Sequence, residues 1–173
     1  FEEAILPDNF YDIAISNVPF GDYPVHDPRY EKTGMTSAIH NYFFAKALDK
    51  VRPGGLIMFI TSRYTMDGVD SQNMAARKYI ADRADLIGAI RLPNNAFKAN
   101  AGTEVTTDII ILKKRAENEK PAGEAWLNPR IIKGKNGEEI QVNEYYAAHP
   151  DMMLGKMSLA GTMYRANEPT LEP

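Results

Sequence analysis

The chain lacks several features that would each point to one class of protein. It has no cysteine among its 173 residues, which excludes disulfide bonds and thiolate metal sites and is compatible with a cytoplasmic protein. Its three histidines are not spaced as metal ligands, so we expect no metal site. The formal net charge is −3, so no global basic field indicates nucleic-acid binding, whereas an enzyme with a local basic groove stays compatible with it. No apolar run approaches the roughly 20 residues that cross a membrane.

What the chain does contain is an alternation of apolar strands and amphipathic helices. This order predicts an α/β fold with a mostly parallel sheet and helices on its faces. The last two strands have no helix between them, so we expect an antiparallel strand at the sheet edge. The predicted strands cover residues 11–16, 56–61, 86–92 and 106–114, and the predicted helices cover residues 37–51 and 71–83.

The composition changes after Lys114, which predicts two regions. Residues 1–115 form the α/β core, and residues 116–173 form a polar linker and a small appendage with a hairpin around "GKNGEE" and a short helix. The chain opens on Phe1 without an initiator methionine and closes on a polar tail. We therefore expect it to be a fragment of a longer protein.

The stretch "ISNVPFGDY" (15–23) holds the candidate catalytic residues. Ligands of open α/β sheets bind outside the carboxyl ends of the strands, and Asn17 falls at such an end. Pro19 stiffens the turn and has no N–H, so we expect the Val18 carbonyl to face the pocket. This carbonyl and the Asn17 side-chain oxygen could accept both hydrogens of an amino group, while Phe20 stacks on a flat ring. A turn after a strand is the simpler alternative.

An aromatic amine is a poor nucleophile, because its lone pair is delocalised into the ring. Two acceptors that hold both hydrogens draw the nitrogen toward a tetrahedral geometry and stabilise the positive charge that develops during attack. Adenine is the obvious planar ring with such an amine, and no strong general base is required.

The residues "NVPF" resemble the Asn/Asp/Ser-Pro-Pro-Tyr/Phe/Trp signature of S-adenosylmethionine-dependent amino-methyltransferases, with Val18 in place of the first proline. The segments "VRPGGLIMFIT" and "LIGAIRLPNNAFKANAGTEVTTDIIILKK" are similar to N6-adenine DNA methyltransferases, in particular the modification subunits of type I restriction systems. This resemblance covers residues 1–115. The opening "FEEAILPDNFYD" and the segment "NEYYAAHPDMMLG" are similar to helicase–methyltransferase proteins of phages and mobile elements.

The resemblance implies a Rossmann-like sheet, S-adenosylmethionine as cofactor and DNA as partner, with the target adenine flipped out of the duplex. It implies that Phe97 is a second aromatic residue of the base pocket, although an aromatic side chain here could also cap the core. Phe1 and Asp8 are expected near the adenine of the cofactor. Arg63 and Tyr64 follow a strand end on the ligand side and could contact phosphate or cofactor, with a solvated loop as the alternative.

The family builds its cofactor site mainly from a glycine-rich turn that precedes the catalytic strand. No such turn precedes Asn17, so we expect the cofactor-binding half upstream of Phe1. The fragment alone is then expected to be inactive and to self-associate through an exposed sheet edge. Three alternatives stay open: a methyltransferase of protein glutamine, a methyltransferase of RNA adenine, and a non-catalytic methyltransferase-like module in a helicase-type protein.

Overall fold

The computed structural model of the chain describes residues 1–19, 21–102, 104–161 and 166–173. Phe20 therefore lies outside the described residues. None of the helices in the described ranges is long and apolar enough to cross a membrane.

The described residues form a four-stranded sheet with helices, followed by two separate hairpins. The strands are β1 (Tyr11–Asn17), β2 (Val51–Ser62), β3 (Ala84–Leu92), β4 (Thr107–Lys114), β5 (Pro129–Lys133), β6 (Glu139–Asn143), β7 (Lys156–Gly161) and β8 (Glu168–Glu172). The α-helices are α1 (Ile39–Lys50), α2 (Tyr64–Asp67), α3 (Ser71–Ala81), α4 (Lys98–Ala101) and α5 (Glu144–Ala148).

The order of the large sheet corrects the sequence-based expectation. Its order is β1-β2-β4-β3; β1 pairs with β2 in parallel, and β4 pairs antiparallel with both β2 and β3. A mostly parallel sheet is thus not confirmed, and the antiparallel strand lies inside the sheet rather than at its edge. The physical reason lies in β4 itself, because its run Ile109–Leu112 has apolar side chains for both faces and suits an interior position.

Only one face of this sheet is covered within the described structure. Side chains alternate between faces along each strand, and the row Phe59–Ile110–Ala89 points toward the helices, where each residue is at most 2% exposed. Phe44 of α1 packs on Phe59 with the ring centroids 5.0 Å apart. The opposite face keeps partly or largely exposed apolar side chains, among them Ile15 at 69%. This open apolar face consists of Ile13, Ile15, Met58, Ile60, Ile90, Ile109 and Ile111.

The two C-terminal hairpins, β5–β6 and β7–β8, pack at the end of the sheet where β3 ends and β4 begins. The Leu154 N–H donates to the carbonyl of Arg91, and the Asn94 N–H donates to the carbonyl of Leu171. Asn143 donates through its side-chain amide to the carbonyls of Met66 and Trp126, both at 2.7 Å. These bonds join residues 116–173 to the sheet, and the division of the chain at residue 115 stays a prediction.

Candidate active site

The candidate catalytic turn leaves the sheet at the carboxyl end of β1. Asn17 pairs with Ile60, and the Val18 N–H donates to the Ile60 carbonyl at 2.9 Å, which extends the parallel pairing by one residue. The Val18 side chain is 1% exposed and anchors the turn in the core. Pro19 follows on the surface.

The polar groups of this turn are open to a ligand. Asn17 is exposed, and its side chain has no hydrogen-bond partner among the described residues. No described N–H or O–H group donates to the carbonyl of Val18. Two acceptors on consecutive residues are therefore available at this strand end.

The other residues expected at the ligand edge follow neighbouring strands. The row Asn17–Ile60–Ile109–Ile90 crosses the whole sheet, so the ends of β1, β2 and β3 and the start of β4 share one edge. Four strands at about 4.8 Å spacing put Asn17 roughly 14 Å from the end of β3. Phe97 lies in the connection from β3 to β4, half-buried, as the residue that precedes α4. This connection lies at the same edge as Asn17.

Arg63 and Tyr64 directly follow β2 at this edge, but their polar groups are engaged. Arg63 is 8% exposed, and its Nη2 lies 3.2 Å from Oε1 of Glu168 on β8. The Tyr64 hydroxyl donates to the same carboxylate. The Arg63 guanidinium also lies 4.3 Å from the centroid of the Tyr64 ring. The geometry therefore gives these residues a role in holding the C-terminal hairpin beside the ligand edge.

A buried ionic cluster, which the sequence patterns did not predict, lies behind this edge. Arg91, 0% exposed, donates to both carboxylate oxygens of Asp108 at 2.8 and 2.9 Å and to Asp67 at 2.7 Å. Tyr146 donates its hydroxyl to Asp108 at 2.7 Å. Burial opposes the charge of Arg91, but Asp108 and Asp67 outweigh it and hold the pKa of Arg91 well above its ordinary value. Charged residues inside the apolar strands "AIRL" and "TTDIII" were the available signal.

Phe1 lies beside the outer side of β1, and Asp8 lies before the amino end of this strand. The Phe1 ring packs on Phe43 with centroids 4.8 Å apart and, together with Ile13 and Ile15, lines an apolar cavity of about 460 Å³. Lys46 donates to the Phe1 carbonyl at 2.6 Å.

Asp8 precedes β1 and therefore lies at its amino end, about 20 Å from Asn17 at ~3.3 Å per residue. Its carboxylate binds Arg29 at 2.7 Å and Lys50 at 2.8 Å. Hydrogen bonds from Arg29 and then Lys50 hold the pKa of Asp8 well below its ordinary value. The structure thus does not bring Asp8 together with the catalytic turn.

Comparisons with known proteins identify a family and a relative that this chain resembles. The family model described as N-6 DNA Methylase matches residues 2–140. The defense against restriction protein B of Escherichia phage P1 is 32% identical over 120 residues, which cover 66% of this chain and 5% of that protein.

Solved structures of methyltransferases and modification subunits have a similar fold. A Listeria monocytogenes protein assigned to the class I S-adenosylmethionine-dependent methyltransferases has a TM-score of 0.54 and 25% identity, with 71% of this chain and 37% of that chain covered. A modification subunit assigned to a type I restriction enzyme of Vibrio vulnificus YJ016 has a TM-score of 0.53 and 14% identity, with 78% and 37% covered, and so shows the fold alone. This chain therefore spans well under half the length of these relatives. Because the family model matches most of the chain, the chain belongs to the N-6 DNA methylase family.

Proposed function

We propose that this chain is the catalytic half of a DNA methyltransferase that transfers a methyl group from S-adenosylmethionine to the exocyclic amine of adenine. One observation carries the proposal. In a chain of the N-6 DNA methylase family, an exposed asparagine side chain and the carbonyl of the next residue lie at the ligand edge of the sheet and have no hydrogen-bond donor or acceptor partner among the described residues.

In the proposed reaction, the Asn17 side-chain oxygen and the Val18 carbonyl accept the two amine hydrogens. The nitrogen lone pair then points away from the adenine ring toward the methyl donor. As the new N–C bond forms, the bond between the methyl carbon and the sulfur of the donor breaks and its electron pair stays on the sulfur; positive charge grows on the nitrogen, and both acceptors bind its hydrogens more strongly. One of these protons leaves to water after transfer.

The target base must leave the DNA stack to reach this turn, because its amine points into the duplex. We propose that Phe20 stacks on one face of the flipped adenine and that Phe97 contacts it from the β3–β4 connection. Support for Phe97 is its half-buried position at the same edge as Asn17. A contact of Arg63 or Tyr64 with DNA phosphate would require displacement of the Glu168 carboxylate.

The described residues fit only part of the cofactor, which supplies an electrophilic methyl group on a sulfonium. The apolar cavity between Phe1, Phe43 and β1 has the chemistry of a purine pocket. If Asp8 contacts the cofactor, it does so while its carboxylate is bound to the side chains of Arg29 and Lys50. The described sheet has no glycine-rich turn between a strand and a helix. We therefore propose that a second half of the complete protein supplies that turn and covers the open apolar face.

The test is product analysis with the complete protein. It is incubated with duplex DNA and S-adenosylmethionine labelled in the methyl group, and the DNA is digested to nucleosides. Label in N6-methyl-2′-deoxyadenosine supports the proposal. The isolated chain should transfer no labelled methyl group. Label only in RNA adenine or in protein glutamine would replace DNA adenine as the substrate, and no transfer to any of them would indicate a non-catalytic module.

A further inference from the structure

Two adjacent side chains in the first turn of α1 are buried without partners. His40 is 5% exposed and Asn41 is 1% exposed. Both ring nitrogens of His40 and both amide atoms of Asn41 lack any hydrogen-bond partner among the described residues. Buried polar side chains normally have partners, so a pair with four unsatisfied atoms needs an explanation.

His40 lies beside the candidate catalytic turn. Burial lowers the pKa of His40, while the carboxylates of Asp22 and Asp70 and the carbonyl of Gly21 act in the opposite direction. The ring is therefore neutral at neutral pH and carries one N–H that can donate. The Gly21 carbonyl is close enough to influence the ring, yet no hydrogen bond of normal geometry joins them.

Among the described residues of this turn, backbone hydrogen bonds are found only at the two ends. The Val18 N–H bonds to Ile60, and the next anchored group is the Val25 N–H, which donates to the Thr36 carbonyl at 2.9 Å. Between these two, no described backbone group makes a hydrogen bond of normal geometry. The two acceptors on Asn17 and Val18 are thus anchored on the sheet side only, since the described residues that follow them make no backbone hydrogen bond before Val25, and an unused donor lies next to that stretch.

We propose that His40 is a positioning residue of the methyl-transfer site, which donates a hydrogen bond to the Gly21 carbonyl and so fixes the chain beyond Asn17 and Val18 when substrate is bound. This inference rests on the proposed function. The His40 side chain does not touch the reacting atoms and acts through the turn.

A purely structural role makes the opposite prediction. If His40 only fills the core, an apolar side chain of similar volume removes unsatisfied polar atoms and leaves activity unchanged. If His40 positions the turn, the same change still raises the midpoint of thermal unfolding but slows methyl transfer. A gain in stability combined with a loss of rate is the signature of a polar group kept for function.

The experiment compares His40→Leu, His40→Gln and His26→Leu in the complete protein. His26 lies in the loop after the turn, where its side chain is 86% exposed and binds Glu31, and it is the matched control. We expect His40→Leu to lower kcat about 10–100-fold, with KM for S-adenosylmethionine within about twofold of wild type. His40→Gln keeps a side-chain N–H and should recover about tenfold of that loss. His26→Leu should leave kcat unchanged.

Each result decides the role of His40. A His40→Leu protein that transfers methyl at the wild-type rate overturns it, as does a His40→Gln protein no faster than His40→Leu. If His40→Leu does not fold, His40→Met, which is unbranched and adaptable, takes its place in the comparison. A wild-type protein that methylates no adenine overturns the proposed function itself, which is a different outcome from a methylating wild type with a fully active His40→Leu.

Discussion

Asn17 and Arg91 show two opposite ways of placing a polar side chain on the same sheet. Arg91 is fully buried, and carboxylates hold all three of its nitrogens, so it fixes how β3, β4 and the C-terminal hairpins meet. Asn17 is exposed at a strand end and has no partner in the described part of the chain. Only the second arrangement leaves a polar group available for a substrate.

Replacing Asn17 tests that availability. In the complete protein, Asn17→Ala removes one of the two acceptors aimed at the amine, and loss of one such preorganised contact costs about 10²–10³ in rate. Single-turnover methylation of adenine-containing DNA measures the effect. Asn136→Ala, in the exposed turn between β5 and β6, is the control and should keep the wild-type rate. A wild-type rate for Asn17→Ala would make Asn17 an ordinary turn residue.

The buried cluster permits a double-mutant test of stability. Asp108→Leu leaves the Arg91 guanidinium buried with only Asp67 as a charged partner, and loss of one partner of a buried pair typically costs about 3–5 kcal/mol. Adding Arg91→Met to Asp108→Leu removes the uncompensated charge and should recover part of this loss. Urea unfolding of the single and double variants measures the coupling. If the Asp108→Leu protein and the double variant Asp108→Leu/Arg91→Met were equally stable, the ion pair would contribute little beyond its packing.

At the scale of elements, apolar periodicity predicted most of the fold. The two helices α1 and α3 and all four strands of the large sheet are confirmed, because their apolar residues recur with the period of a helix or form the short apolar runs of strands. Strand β2 begins earlier than predicted, at Val51, and pairs there with Tyr11 before the register shifts, so that Ile13 pairs with Leu56. The position of β4 between β2 and β3 was not predictable in this way. Periodicity indicates where a strand lies in the sequence, but not which strands it pairs with.

The N-cap residues of the two long helices differ in how well their residue type identifies them. Ala38 takes the N-cap position of α1 without a side-chain bond, although Thr36 and Ser37, both of types that often cap helices, directly precede it. Asp70 caps α3 and accepts a hydrogen bond from the Asn73 N–H at 3.0 Å. A cap residue can be recognised from its type, but several in a row leave the helix start open by one or two residues.

The Asp70 cap predicts a pH-dependent loss of stability. Burial raises the pKa of Asp70, but hydrogen bonds from Asn73 outweigh it, so its pKa lies below the ordinary value. Its contribution is therefore present above about pH 4 and is lost as the pH falls through the folded-state pKa. Asp70→Ala should cost about 1 kcal/mol at pH 7 and less at acidic pH.

Thermal unfolding of Asp70→Ala at several pH values checks this. The matched control is Asp82→Ala at the other end of α3, where a negative charge is unfavourable, so that change should be neutral or slightly stabilising. A cost for Asp70→Ala that does not shrink toward acidic pH would show that the carboxylate charge is not what caps the helix.

At the scale of the whole molecule, the sequence predicted the strand end that carries Asn17 but not what surrounds it. Strand ends and turn residues are local features, so "NVPF" could be interpreted directly. The salt bridges of Arg91 with Asp108 and of Arg63 with Glu168 join residues far apart in the chain. Patterns in a single sequence do not contain such pairings. The unsatisfied pair His40 and Asn41 became visible only once burial was known.

The sheet also leaves one strand edge open. Among the described residues, β1 pairs only with β2, and residues 1–10 make no backbone hydrogen bond to its outer edge, because the Asn9 and Phe10 N–H groups donate to the carbonyls of Asp49 and Lys50 on α1. Ile13 and Ile15 add exposed apolar surface beside that edge, at 43% and 69%. An exposed apolar edge is a template for pairing with another chain. We therefore predict that the isolated chain self-associates through β1 and the open apolar face.

Sedimentation velocity across the micromolar range should show a concentration-dependent increase in mass. Ile15→Lys places a charge on the face and should return the chain to a monomer, since charged side chains are a common protection of exposed edges. Ile131→Lys is the matched control, because Ile131 is 57% exposed on the separate β5–β6 hairpin and should leave association unchanged. A clean monomer of the wild-type chain, with all amides of residues 11–16 protected from exchange, would contradict an open edge. Association that persists in Ile15→Lys but is lost in Ile131→Lys would instead place the interface on the C-terminal hairpins.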